Sequence, residues 1–271
     1  MDTAKNMNFR RRRASLTAAT LIALIGVGGC SLPHTQPEST IAREPHWDYG
    51  KTDGPDKWSS LSNDFSACSA GKQESPIDLP EAVPTSTEEV ALEIDSATSG
   101  TVTDSGHAMQ FTAEISTTTT VFDNKSFGFV QMHSHMPSEH TVAGLHSAAE
   151  FHFVFQSQDK EHLVVSVFAN VGPASEAWEN AAQAFEQGNE TPLSIDIAAL
   201  MPSSLNFYGY DGSLTTPPCT EDVKWAVFST PITISQEQLD DLASLHSGND
   251  RPTQPLEGRT IHGGRLTILG E

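Results

Sequence analysis

Residues 127–136 read FGFVQMHSHM and residues 148–155 read AAEFHFVF. Both are short runs rich in aromatic and β-branched residues, set off by Gly, Asn or Pro, which is the pattern of β-strands. Side chains at i and i+2 of a strand project from the same face. In the first run Gln131, His133 and His135 are expected on one face together with Phe127 and Phe129. In the second, Glu150, His152 and Val154 share a face and Phe151, Phe153 and Phe155 take the other. Two such strands side by side present three imidazoles with a Gln and a Glu.

That grouping has a chemical meaning. Three neutral imidazoles with a fourth position left open are the usual catalytic zinc arrangement, whereas structural zinc sites are closed by four protein ligands, often cysteines. A ligating histidine hands its other ring N–H to an acceptor that fixes its orientation. Gln131 stands two before His133 and Glu150 two before His152, each on the face of its histidine. Spacing alone leaves alternatives open: jelly-roll metal proteins share H-x-H with a third histidine, and a single imidazole is more often packed or solvated than a ligand.

Other alternating runs, 89–94 and 107–115, extend the strand pattern, so the chain reads as mainly β, an α+β protein with few helices. Ser175 is placed to cap EAWENAAQAFEQ, with Trp178, Ala182 and Phe185 on one face, and Ser235 with Gln238 forms a capping box ahead of Leu239, Leu242 and Leu245. Both read as surface helices on a sheet. No internal repeat or composition break follows residue 46, which predicts one domain over 46–271.

The N-terminus differs in kind. Four arginines, Arg10 to Arg13, precede the apolar run LTAATLIALIGVGG, too short to span a bilayer comfortably, so residues 1–29 read as a signal peptide. The run ends Val27-Gly28-Gly29-Cys30, which resembles a bacterial lipoprotein cleavage box with Cys30 as the lipidated residue; an ordinary secretory signal is the alternative. Residues 30–45, proline-bearing and without period, read as a flexible tether. The expectation is an exported protein of the cell envelope or periplasm, touching a membrane only through its lipid anchor. Removing residues 1–29 deletes five basic residues and one acid, leaving ten Lys+Arg against thirty-four Asp+Glu, or about −24. Such a surface repels nucleic acid and anionic lipid headgroups. Cys68 and Cys219, two thiols in an exported chain, are expected to pair, with two buried free thiols the alternative. In the chain-entropy model so long a loop contributes at most roughly 5 kcal/mol.

Nine segments, in order, resemble the α-class carbonic anhydrases: HWDYG (46–50), GPDKW (54–58), ESPIDL (74–79), SGHA (105–108), QMHSHMPSEHTV (131–142), AAEFHFVF (148–155), GSLTTPPCTE (212–221), VKW (223–225) and RPTQPLEGR (251–259). The resemblance implies a large, mostly antiparallel central sheet with short peripheral helices and a Zn2+ held by His133, His135 and His152. It implies reversible hydration of CO2 to bicarbonate by a zinc-bound hydroxide, available because metal-bound water has a pKa of about 7, a value measured on carbonic anhydrases themselves. Thr215 would accept the hydroxide's proton and donate to Glu139. Val154, Val164, Leu214 and Trp225 would form the apolar wall for CO2, and Thr216 and Tyr49 the polar lining that orders water or bicarbonate. His107 matches the proton shuttle, His140 an internally hydrogen-bonded position, and Cys68 with Cys219 the disulfide of bacterial members. His146, in a turn, is expected at the surface.

Three positions depart from the pattern: Glu74 stands where glutamine is usual, Asp48 replaces a small residue, and Ser105 takes a place often held by asparagine. Two other readings are a related binding protein that has lost a zinc histidine and an envelope lipoprotein that stores zinc. The first conflicts with the presence of all three histidines, the second with Thr215, Glu139 and the apolar wall.

Overall fold

The two histidine-bearing runs are neighbouring strands, and one inserted residue decides what each face carries. The computed structural model describes residues 45–85, 88–93, 98–114, 118–187 and 191–269. The expected signal peptide, Cys30 and all of the tether but its last residue lie outside the described residues, as do Ile94 and Ile115 of two expected strands. In chain order the strands are β1 (Asp78–Leu79), β2 (Glu88–Glu93), β3 (Thr98–Asp104), β4 (Met109–Ala113), β5 (Thr119–Phe122), β6 (Lys125–His135), β7 (Thr141–Val142), β8 (Leu145–His146), β9 (Ala149–Ser157), β10 (His162–Val171), β11 (Thr191–Ile195), β12 (Asn206–Gly212), β13 (Val223–Phe228), β14 (Ile232–Ile234) and β15 (His262–Leu269). The α-helices are α1 (Trp58–Leu61), α2 (Ala67–Ala70), α3 (Glu176–Gln187) and α4 (Gln236–Leu245).

Twelve strands form one mixed sheet, and β1, β7 and β8 a small second one. Within the large sheet β10 runs parallel to β13 and β14, and β15 parallel to β2; the other pairings are antiparallel. β6 pairs with β9 from Phe127↔Ser157 to His135↔Glu150, with a register shift between Phe129 and Gln131. Val130 is the extra residue of this bulge. Since a one-residue slip turns every later side chain to the other face, the expectation that Phe127 and Phe129 share the face of His133 is corrected. They pack instead with Met132, Phe151, Phe153 and Phe155 in the larger core, while Gln131, His133 and His135 face Val154, His152 and Glu150. A second correction concerns the run from 107: the strand starts at Met109, and His107 lies in the preceding turn.

Helix α3 closes the phenylalanine face, with Trp178, Ala182 and Phe185 buried and the Trp178 ring 3.8 Å from that of Phe151, tilted by 33°. The α4 capping box is present, Gln238 N–H donating to Ser235 Oγ at 3.1 Å and Gln238 Oε1 accepting from Ser235 N–H at 3.0 Å. The Gln238 side chain also donates to Ser175 O and Glu179 Oε2, both at 2.9 Å, and so joins the two helix N-termini. On the histidine face Val154, Val164, Tyr210 and Trp225 form a second buried cluster. Cys68 and Cys219 are bonded across 151 residues and pack with Trp58 and Phe65. Residues Glu44–Glu271 form one compact unit, and no described helix is long and apolar enough to cross a membrane.

Candidate active site

Direct cross-strand pairing sets His133 of β6 opposite His152 of β9, and His135 lies two residues on along the same face. One ring nitrogen from each of these three side chains lies within 4.8 Å of the other two. The remaining nitrogens are committed elsewhere. His133 Nδ1–H donates to Gln131 Oε1 at 2.8 Å, His135 Nδ1–H to Asn249 O at 2.6 Å, and His152 Nε2–H to Glu150 Oε1 at 2.9 Å. Those bonds fix each ring's tautomer and aim His133 Nε2, His135 Nε2 and His152 Nδ1 at one another.

Burial holds the rings neutral. It pushes His133 well below the usual histidine range, aided by His135 and His152; it lowers His135 to about 3, with His152 adding to the effect; and it lowers His152 against the pull of Glu150. Beside them Glu139 is fully buried, its Oε2 3.4 Å from His135 Nε2 and 3.9 Å from His152 Nδ1. Burial drives its pKa well up, while the Thr215 hydroxyl and the Arg251 amide, 2.9 Å from Oε1, pull it down. Neither Glu139 Oε2 nor His135 Nε2 has a well-formed hydrogen bond among the described residues. Orphaned buried atoms of this kind are costly. Three lone pairs from neutral imidazoles, converging beside a buried carboxylate, are the donor set that a dication satisfies, so the residues fit a zinc ion.

The layer beneath is satisfied. Glu150 is driven up by burial but held well below the usual carboxylate range by His140 and His152. It accepts from the His140 Nδ1–H at 2.7 Å and the His140 amide at 2.8 Å, and His140 Nε2 meets the Tyr210 hydroxyl at 2.6 Å. His146 is exposed, with Nδ1 2.6 Å from Ser138 O. The apolar residues expected beside the metal continue the histidine face: Val154 lies opposite Val164, Val164 opposite Trp225, and the Trp225 ring stands edge-on to His152 at 5.0 Å, with Leu214 packed against the cluster. Thr216 is half-buried and its carbonyl accepts the Cys219 amide at 2.9 Å, so the disulfide lies in the loop that carries Thr215. Tyr49 packs edge-on to Trp47 and Trp58, and burial followed by Glu139 raises its hydroxyl pKa. His107 stands apart from the trio, its ring stacked on Trp47 at 3.6 Å.

The family model for eukaryotic-type carbonic anhydrases matches residues 53–264. The chain belongs to that family. It is 37% identical over 221 residues to a carbonic anhydrase of Pectobacterium atrosepticum, covering 80% of this chain and 90% of that one. It is 33% identical to one of Neisseria gonorrhoeae, covering 93% and 98%. Among solved structures it is similar to the α-carbonic anhydrase of Thermovibrio ammonificans in complex with the inhibitor sulfanilamide, with a TM-score of 0.75, 35% identity, and 80% and 99% of the two chains covered. As a carbonic anhydrase, the chain catalyses the reversible hydration of CO2 to bicarbonate and a proton.

Two residues of this carbonic anhydrase escaped the reading of the sequence. Asn249 accepts from His135 and from the Met136 amide (2.9 Å), and donates to Ser134 O (2.9 Å) and His107 O (3.2 Å). Arg251, buried over the Trp58 ring, gives its amide to Glu139 and its guanidinium to Ser75 O, Cys68 O and Glu74. Their signal was position inside or beside RPTQPLEGR, more than 110 residues from the partners, where no spacing rule reaches. The departures take structural roles: Glu74 is buried against Arg251 at 2.7 Å, Asp48 Oδ1 accepts the Gly50 amide at 2.7 Å, and Ser105 Oγ braces the turn before β4 through Ala108.

Proposed function

We propose that His133, His135 and His152 hold a zinc ion and that the hydration of CO2 takes place beside it. The observation that carries the reading is the convergence of three ring nitrogens, from buried His135 and His152 and half-buried His133, each fixed by a bond to its other nitrogen. Zinc bound there supplies Lewis acidity that brings the pKa of water to about 7, the value measured on carbonic anhydrases themselves.

The chain's own residues do the rest. Thr215, donating to Glu139, keeps a lone pair to accept the hydrogen of the attacking nucleophile, which turns the nucleophile's own lone pair toward carbon. Glu139 must be ionised for that, and a nearby dication favours the carboxylate that burial alone disfavours. The wall of Val154, Val164, Leu214 and Trp225 receives CO2, which offers no charge to grip. Thr216 and Tyr49 line the polar side, where bicarbonate and water are ordered. His107 takes the proton released in each turnover outward, because an imidazole is the side chain whose pKa matches that task.

The sequence supports the cellular setting: residues 1–29 a signal, Cys30 lipidated, 30–45 a tether, and 46–271 the catalytic domain at the cell envelope. Mass spectrometry of the mature N-terminus tests this; an unmodified end away from Cys30 refutes the anchor. Stopped-flow CO2 hydration with metal analysis of the purified protein tests the site. One zinc per chain and activity lost on chelation are expected, and activity without metal overturns the zinc reading.

A further inference from the structure

The shuttle reading leaves open what holds His107 where it is. Its turn, Ser105-Gly106-His107-Ala108, joins β3 to β4. Gly106 has φ +83, a left-handed conformation that glycine adopts without strain. Ser105 Oγ accepts the Ala108 amide at 3.0 Å and donates to Ala108 O at 2.8 Å, which closes the turn on itself. Asp104, the last residue of β3, accepts the Gly106 amide on Oδ1 at 2.7 Å. The same oxygen accepts the Nε2–H of His246 at 2.8 Å. His246 caps the C-terminus of α4, its amide bonded to Leu242 O, and so brings in an element 142 residues distant. On its other side the imidazole of His107 lies flat on Trp47, 13° from parallel.

This hydrogen-bonded pair is a poor stability device. The Asp104 side chain is 59% exposed and that of His246 21% exposed, and pairs in such surroundings add little to folding free energy. Its placement is informative instead, because the shared oxygen bonds the residue next to His107. We propose that Asp104 and His246 are positioning residues for the proton-transfer step: the pair ties the His107 turn to the end of α4 and keeps the imidazole on Trp47. The inference rests on the reading of His107 as the shuttle.

The charges around the ring make it testable by a second route. Burial lowers the His107 pKa first; His46 and His246 lower it further, while Asp48 and Asp104 raise it. His46 and Asp48 flank Trp47 in the N-terminal segment, and Asp104 and His246 come from β3 and the α4 cap. Loss of His246 therefore raises the His107 pKa, and loss of the Asp104 charge lowers it.

The experiment uses the full-length zinc protein in three variants, His246→Ala, Asp104→Ala and Asp104→Asn, with His107→Ala as the control. CO2 hydration is followed in dilute buffer with and without imidazole, and the His107 ring is titrated by NMR. The alanine variants are expected to lower kcat roughly threefold, as for a proton-transfer group misplaced rather than removed, with kcat/KM unchanged and imidazole restoring the loss. Asp104→Asn keeps both acceptor contacts and should retain kcat while still lowering the His107 pKa. If His107→Ala lowers kcat in dilute buffer but neither alanine variant does, the positioning role is wrong and the shuttle reading stands. If His107→Ala has no effect, both fall. An unshifted His107 titration in all three variants also overturns the proposal, and the Asn variant keeps that measurement available should an alanine variant fold poorly.

Discussion

The two faces of β6 and β9 are built from the same eleven and nine residues and obey different rules. One face is phenylalanine: Phe127, Phe129, Phe151, Phe153 and Phe155, each 2% exposed or less. Its stabilisation scales with apolar area, about 1.5–3 kcal/mol for each large side chain, and repacking among hydrophobic residues of similar volume is tolerated. The other face is Gln131, His133, His135, Glu150 and His152, where each ring has one assigned acceptor and one atom's displacement leaves a buried group unpaired. Side-chain volume governs the first and atomic position the second, and the Val130 bulge lets one strand serve both.

The sharpest way to break that division is to insert one residue into β9 between Val154 and Phe155, which gives Val130 a partner and turns the bulge into a regular ladder. Without the bulge Phe127 and Phe129 would be forced onto the face of His133 and His135, so the strand could fill the core or build the site, never both. Two displaced phenylalanines remove a large part of a net stability of about 5–15 kcal/mol. The insertion is expected to abolish cooperative thermal unfolding. A variant that melts near the wild-type temperature would show that the bulge is not what separates the faces.

The second test touches the polar face alone. His152→Ala removes one of the three proposed ligands and one of the two ring contacts of Glu150, so most zinc affinity should vanish while the phenylalanine face still folds the chain. Metal content by mass spectrometry reads the first effect and far-UV circular dichroism the second. Full zinc occupancy would place the metal elsewhere. Thr215→Ala goes one step further from the metal. It should keep zinc bound yet cut kcat/KM for CO2 roughly 10²-fold, the low end for a lost transition-state hydrogen bond. Unchanged turnover would mean that another group orients the nucleophile.

The division also explains what the sequence could tell. The histidine face was legible because its three histidines and two of their acceptors sit at two-residue spacings within single strands, where the period of the strand fixes the geometry. The α4 cap was legible for the same reason, Ser235 and Gln238 being three apart. The bulge was not: nothing in FGFVQM distinguishes a continued ladder from one residue out of step, and the choice is made by burying five phenylalanines on strands that the local pattern treats separately. Asn249 and Arg251 were missed because their bonds to His135, Glu139 and Glu74 close loops of more than a hundred residues. Gln238 shows both regimes at once, its capping bond predicted and its bond to Ser175, 63 residues away, not.

The smallest expected effect lies outside both faces. His107 is half-buried in a turn whose Ser105 and Gly106 are exposed, and it belongs neither to the imidazole trio nor to the phenylalanine cluster. Replacing it should therefore leave zinc content, melting temperature and kcat/KM for CO2 nearly unchanged, since these depend on the trio and on Thr215. What it should change is the step that clears the proton before the next turnover. Positioned proton transfer contributes roughly 10²–10⁴-fold in enzymes generally, but water and buffer bypass a relay that is only half-buried, so a fall in kcat of about tenfold is expected for His107→Ala in dilute buffer. Added imidazole should restore part of it in proportion to its concentration, because a free imidazole can carry the proton without the turn that holds His107 on Trp47. A loss that appears equally in kcat/KM, or one that imidazole cannot relieve, would place His107 in the chemistry of CO2 attack rather than in the clearing of the proton that follows it.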